Sequence, residues 1–354
     1  MFPLTATERA RHDIAESFEH YDLSENMGKM IATSVMPLHT VTLAHGTYPV
    51  LTLKELMRNL TTGGGNPEGY AARRAPRAAY PRDDLGFTSA NYTTEEHGLE
   101  GTVDENEAAH YSSHFEHEAI TGQWILHRLM VQRELRTARA LFDTTRFLDT
   151  TQDTYDGQSQ PAGTYRETAT GNAVAGNAVP WSTYATADPI RDVFVAKSKV
   201  FSLFGMYPDA LIMNEETWRY LRRNEVIRQQ LMALGAGGLA RQADLTREAV
   251  AMVLDVRDIL VGSSVMDANN AATPSFQSQH IWGDGCLVAK LARGGSIREV
   301  ALGHTLHWTA DGSQLPAFVE DYYEPQTRTQ VLRVRHQDRQ LVKYNIAEFI
   351  TTTL

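Results

Sequence analysis

"YPDALIMNEETWRYLRRNEVIRQQL" (Tyr207–Leu231) opens on a proline turn, runs through an apolar stretch, and sets two acids and a tryptophan where a helix begins. A strand that ends in Asn-Glu-Glu at a helix start is a natural place to seek a catalytic carboxylate or a bound metal. Elementary helix physics accounts for these residues without one. Asn214 suits the N-cap, Glu215 and Glu216 lie against the positive end of the helix dipole, and Trp218 and Leu221 turn inward. Nothing at this junction is left over for a substrate, so it holds a shape.

Working outward, "DALIMN" reads as a short buried strand and "EETWRYLRRNEVIRQQL" as one helix. Upstream, "ATADPIRDVFVAKSKVFSLFG" gives another helix, with Asp188 as N-cap, Pro189 at the first helical position and Gly205 as the stop. Downstream, "TREAVAMVLDV" is a third helix and "RDILVGSSV" a second short strand. Alternating strands and helices over residues 185 to 266 mark an α/β region. "HIWGDGCLVAKL", "REVALGHTLHWT" and the closing "TQVLRVRHQDRQLVKYNIAEFI" read as strands, the last with a hairpin near Asp338.

The N-terminal half is organised differently. The first 45 residues carry weak helical periodicity (Ile14, Phe18, Met27, Met30, Ile31, Val35) and read as an arm that needs a partner surface. "YPVLTLKEL" (residues 48 to 56) reads as a strand. After it, "TTGGGNPEGYAARRAPRAAYPRDD" (Thr61–Asp84) has almost nothing to bury and cannot fold on its own account. Residues 57 to 108 together read as a long excursion in the form of a two-stranded flap. "HEAITGQWILHRLMVQRELRTARALFDTTRF" then predicts a rod about 40 Å long, with Ile120, Trp124, Val131, Leu135, Ala138 and Phe142 forming its apolar stripe. Arg128, Arg133, Arg136 and Arg139 mostly fall outside that stripe. Residues 149 to 182 read as a hairpin or connecting ribbon.

The totals bound the function. The chain has 354 residues, 42% hydrophobic and 21% charged, enough for one large domain or two ordinary ones. A formal charge of −10 argues against a protein whose main task is gripping phosphates. Six lysines against 27 arginines favour planar forks suited to contacts between protein surfaces. A single cysteine, Cys286, excludes an intrachain disulfide framework and reads as a buried structural thiol. With no secretory segment and no long apolar run, the expectation is a soluble intracellular product without a membrane span.

Candidate chemistry is sparse. His110, His114 and His117 in "HYSSHFEHE" fall at i, i+4 and i+7 and could share a helical face with Glu118, as a metal-dependent enzyme would require. The cluster lacks the HExxH order, and bunching among 13 histidines is the plainer explanation. "TTGGGNP" has no Lys-Ser/Thr after it and is no phosphate loop. Ser159 and Ser263 match no nucleophile elbow. No cofactor, metal ligand set or catalytic residue is assigned.

Taken in order, "DPIRDVFVAKSKV", "YPDALIMNEETWRYLRRNEVI", "VLDVRDILVGSSV" and "HIWGDGCLV" resemble the axial domain of the major capsid proteins of tailed bacteriophages with the Hong Kong 97-type shell fold. The flap and rod resemble that family's extended loop and spine helix. The resemblance implies an α+β fold with a peripheral domain, a long spine helix, an extended loop and an α/β axial domain. It divides the chain into an N-terminal arm (1–47), the extended loop with flanking strands (48–110), a peripheral domain (111–185, spine helix about 116–146), an axial domain (186–320) and closing C-terminal strands (321–354).

It further implies a non-enzymatic subunit that self-assembles through hexamers and pentamers into an icosahedral head enclosing double-stranded DNA. Such a subunit would belong to the virion and be assembled in the bacterial host cytoplasm. Its partners would be further copies of itself, weakly contacted DNA, and separate scaffolding, portal and decoration proteins, with no membrane. Arg73, Arg74, Arg77 and Arg82 in the loop would pair with carboxylates across subunits. The family's lysine–asparagine crosslink is not expected, because no lysine lies between Lys54 and Lys197. An encapsulin-like bacterial compartment shares the fold and is the alternative reading, with the metal-dependent enzyme on His110, His114 and His117 as the second.

Overall fold

A computed structural model describes residues 9–10, 29–51, 76–77, 87–111, 117–142, 152–155, 158–161, 164–165, 180–233, 245–268, 277–310, 317–344 and 346–350. The chain begins β1 (Arg9–Ala10), α1 (Ala32–Val35), β2 (Leu38–Val41), β3 (His45–Leu51), β4 (Phe87–Thr93) and β5 (Glu95–Asp104). Then follow α2 (Glu105–Tyr111), α3 (His117–Leu141), β6 (Gln152–Tyr155), β7 (Gln158–Pro161), β8 (Thr164–Tyr165) and α4 (Pro189–Phe204). The next elements are β9 (Ala210–Asn214), α5 (Glu215–Arg223), α6 (Glu225–Ala233), α7 (Arg247–Val253), β10 (Asp258–Gly262) and β11 (Val265–Asp267). Last come β12 (Ser278–His280), β13 (Cys286–Ala289), β14 (Gly303–Trp308), β15 (Phe318–Glu324), β16 (Thr329–Val342) and β17 (Ala347–Ile350). The chain divides into two units: residues 45–93, and the remainder on either side of them.

β9 is buried along its whole length and lies inside a five-stranded sheet of order β10-β9-β13-β17-β8. β9 runs parallel to β10 and antiparallel to β13. Because side chains alternate across a sheet, β9 feeds two cores. Leu211 and Met213 join Val261, Cys286, Val288 and Ile350 beneath α4 to α7, where Trp218, Leu221 and Ile227 are buried. Ala210 and Ile212 face the other way, with Leu287, Phe349, Trp282, Leu141 and the N-terminal residues Ile31, Val35 and Met36.

The local signals hold. Asp188 caps α4 by accepting from the Arg191 N–H at 3.1 Å, with Pro189 in the first turn. Gly205 ends the helix at φ 66, a left-handed geometry that suits glycine. Asn214 caps α5 by accepting from the Thr217 N–H at 2.7 Å, and Thr246 caps α7.

The second sheet has the order β1-β15-β16-β14-β2 and is organised on the 14-residue β16. β15 and β14 pair successively with one edge of β16, while β5 runs antiparallel along the other. α3, with 25 residues and a length of about 37 Å, packs on β5 and β16. Ile125, Leu126, Leu129 and Met130 meet Val319, Leu332 and Val334 there. Within its own unit, β3 pairs antiparallel with β4. β6 and β7 form the hairpin expected for the ribbon between residues 149 and 182.

Four expectations are corrected. The apolar stripe of the rod is out of phase at its start: Ile120 is 47% and Trp124 54% exposed, while Arg133 and Glu134 are buried on the face that meets the sheets. Counting apolar residues alone misses this, because the buried face also holds charges that find partners. The helix after Asn214 is two helices, since Asn224 adopts an extended geometry and its side chain caps α6. The closing hairpin does not turn at Asp338. β16 runs straight through that residue, and the chain turns at residues 325–328 instead. Ile31 and Val35, read as part of an arm seeking a partner, lie with Met36 in the core of their own chain. Ile14, Phe18 and Met27 lie outside the described residues.

Strand pairing also redistributes the linear segments. β5, within the stretch read as the flap, belongs to the β16 sheet, and β17 lies in the five-stranded sheet with β9 and β13.

Candidate assembly surfaces and a buried ionic cluster

The Asn-Glu-Glu junction is fully engaged in structure. Besides capping α5, Asn214 donates its amide to Asp284 Oδ1 at 3.0 Å. Glu215 faces Arg219 at 3.6 Å one turn on, and Glu216 accepts from the Tyr220 hydroxyl at 3.1 Å. Among the described residues no group of three or more His, Cys, Asp and Glu side chains is arranged to hold a metal ion. His110 is exposed near the end of α2 and His117 opens α3, while His114 lies outside the described residues. Burial pushes the Cys286 thiol well above its ordinary value, so the group is an inert core atom.

Two surfaces carry large apolar side chains that no element among the described residues covers. On α4, Phe194 is 67% exposed, and one face further along Phe201 (41%) stacks on Tyr207 (57%) with ring centroids 4.4 Å apart. A groove beside them is bordered by Lys197 and Asp255, whose side chains pair at 2.6 Å. On α3, Ile120 and Trp124 point away from the sheet, with the Arg128 guanidinium 4.8 Å from the Trp124 ring centre. Contiguous exposed aromatic surface of this kind marks contact with another macromolecule more often than with solvent.

Outside the loop, several arginines pair within the chain. On the outer face of the β16 sheet, Arg333 bonds Glu100 at 2.7 Å, Arg335 bonds Glu320 at 3.1 Å, and Arg339 pairs with Glu95. These forks tie β16 to its neighbouring strands within one chain. Arg77 is exposed in a turn at φ 67; Arg73, Arg74 and Arg82 lie outside the described residues.

Sequence reasoning missed the charges under α3. Glu134 accepts from the Ile31 N–H at 2.8 Å, the Ala32 N–H at 2.9 Å and the Trp282 indole N–H at 2.6 Å. Burial raises its carboxyl pKa, and those three donors, with Arg133, pull the other way. One turn along, Asp338 on β16 faces Arg136 at 3.0 Å and Arg133 at 3.5 Å, beside His336 and His97. The available signal was "RE" at 133–134 between Met130, Val131 and Leu135, a pair tolerable on a buried face only with partners.

Among the described residues no helix is long and apolar enough to cross a membrane. No protein-family model and no curated protein matches the chain. Solved structures do. A phage-related protein from Bordetella bronchiseptica RB50 is 16% identical with a TM-score of 0.63, over 98% of each chain. The virus-like particle from Pyrococcus furiosus is 7% identical with a TM-score of 0.52, over 96% of this chain and 98% of the other. The capsid of Cyanophage P-SCSP1u is 10% identical with a TM-score of 0.50, over 90% and 86%. With two large sheets, a long helix laid on one of them and superposition over 90% or more of the chain on these structures, the chain has the α+β Hong Kong 97-type capsid fold.

Proposed function

We propose that this chain is the major capsid protein of a tailed phage, self-assembling through hexamers and pentamers into an icosahedral shell around double-stranded DNA. The observation that carries the reading is the superposition over 98% of both chains with the phage-related protein, together with that on the Cyanophage P-SCSP1u capsid. The uncovered aromatic faces at Phe194, Phe201 and Tyr207 and at Ile120 and Trp124 support it, since a subunit with several neighbours needs several distinct contact surfaces. In this reading the role is structural; the acidic junction at Asn214 is taken up by caps and short-range pairs.

In this reading the shell is located in the virion and assembled in the host cytoplasm, with scaffolding, portal and decoration proteins as separate partners. Arg73, Arg74, Arg77 and Arg82 contact carboxylates of neighbouring subunits, and the net charge of −10 keeps contacts with packaged DNA weak.

Electron microscopy of the chain expressed alone, and with any scaffold encoded beside it, tests the proposal. Uniform hollow particles are expected. A compact monomer at high concentration under both conditions overturns it. Phe194→Asp and Trp124→Asp should each abolish particles while leaving the far-ultraviolet circular dichroism of the subunit unchanged. Particles that enclose a protein cargo and exclude DNA in the native host would favour the encapsulin-like compartment instead.

A further inference from the structure

The polar cluster beneath α3 has a bonding pattern that only one protonation state of His336 allows. Arg136 Nη2 lies 2.9 Å from His336 Nε2. A guanidinium can only donate, so Nε2 must accept, which makes His336 a neutral ring with its proton on Nδ1. Among the described residues that buried Nδ1 has no hydrogen-bond partner. The same Arg136 nitrogen reaches Asp338 Oδ1 at 3.0 Å, and Arg133 Nε lies 3.5 Å from Oδ2. A proton on His336 Nε2 would remove the acceptor and set an imidazolium against a guanidinium.

The surroundings offer little relief. From β16, Asp338 lies 3.5 Å from His336 Nε2, but it already serves two guanidiniums and accepts from Gln340 at 3.3 Å. From β5, His97 adds a second titratable ring 3.8 Å from Asp338, while Glu95 is bound to Arg339. From β14, His307 is the register partner of Asp338 and is itself buried. From α3, Glu134 is occupied by Ile31, Ala32 and Trp282.

We propose that the Arg136–His336–Asp338 cluster is an acid-releasable latch that fastens the long helix α3 to the β16 sheet at neutral pH and lets it go when His336 takes a proton. The latch would work on the subunit whether or not it is assembled, so it does not rest on the capsid reading. Burial, with Arg136 and Arg133 adding to it, depresses the His336 pKa to about 3 against the opposing pull of Asp338. Burial and Arg136 likewise lower His97. An opened helix returns His336 to its ordinary value near 6.5, so the open form binds a proton the closed form refuses. Opening is then favoured about tenfold for each pH unit below 6.5.

Amide hydrogen exchange of the full chain across pH 7.5 to 5, corrected for intrinsic rates, reads the opening. Amides of α3 near Arg136 should lose protection about tenfold per unit below pH 6.5, while those of β9 and β13 keep theirs. His336→Gln, which can still accept from Arg136 but cannot take the proton, should flatten that loss. Should this variant fail to fold, exchange at the His336 ring C2–H in the wild type decides, since the closed form should show no titration step near pH 6.5. Unchanged α3 protection, an equal loss in His336→Gln, or a C2–H step near 6.5 would each overturn the latch.

Discussion

Trp282 donates its indole N–H to Glu134 at 2.6 Å across a sequence separation of 148 residues, and the same carboxylate takes the backbone N–H groups of Ile31 and Ala32. One side chain on α3 thus ties the N-terminal segment to the segment before β13. A carboxylate suits the place because it only accepts, and all three neighbours only donate. Glu134→Ala leaves three buried donors unpaired, each at a cost of about 1–3 kcal/mol, so a loss of several kcal/mol is expected in urea denaturation. Glu134→Gln should lie between the two, since one end of its amide can only donate. If Ala and Gln proved equally mild, this tie would carry little of the fold.

Asp338, itself fully buried, balances the buried Arg133 and the part-buried Arg136. Removing one member of a buried ionic group is costlier than removing the whole group, because the remaining charges stay desolvated. Asp338→Asn should therefore destabilise by about 3–5 kcal/mol. The triple replacement Arg133→Met, Arg136→Met, Asp338→Leu should recover most of that loss. Denaturant midpoints at one protein concentration would compare them; a triple variant weaker than Asp338→Asn would count against electrostatic balance as the reason.

Glu348 is buried on β17 with Lys199 of α4 at 2.5 Å, and burial pushes its pKa up to about 7 despite the lysine. The folded chain therefore keeps a proton that the unfolded chain gives up above its ordinary value of 4.5. The stability from this group is fully present below pH 4.5 and is lost as pH rises through 7. His336 acts in the opposite sense at lower pH, so the two contributions must be separated by difference. Subtracting the Glu348→Gln stability profile from the wild-type profile should leave a fall of up to about 3 kcal/mol between pH 4.5 and 8. A flat difference profile would mean that Glu348 titrates normally in the folded chain.

What the sequence made legible was local. Asp188, Pro189, Gly205 and Asn214 act within a few residues, through a first-turn proline, a left-handed stop and caps, and each does so as read. What it hid depends on distant partners. Glu134 and Asp338 look like surface residues until Ile31, Trp282, Arg133 and Arg136 are brought to them by the fold. Trp124 was misread for the converse reason: an aromatic residue at helical spacing suggests an interior, yet this one faces away from the sheet on which its helix lies.

Asn224 shows the same limit on a smaller scale and gives the last prediction. Its neighbours favour one unbroken helix from Glu215 to Leu231, and helix propensity alone does not stop the chain there. Three contacts do: its side-chain oxygen accepts from the Val226 N–H at 2.9 Å and the Ile227 N–H at 3.4 Å, and its amide donates to the Ala187 carbonyl at 2.9 Å. The break turns Ile227 and Leu231 onto the core beside Trp218 and Leu221. Asn224→Ser retains a capping oxygen and loses only the bond to Ala187, whereas Asn224→Ala loses both and favours continuous helix. Alanine should thus cost about 1–2 kcal/mol more than serine, with helical circular dichroism rising or holding while stability falls. Were alanine tolerated as well as serine, the break would be imposed by packing of Ile227 and Leu231 and not by the Asn224 side chain.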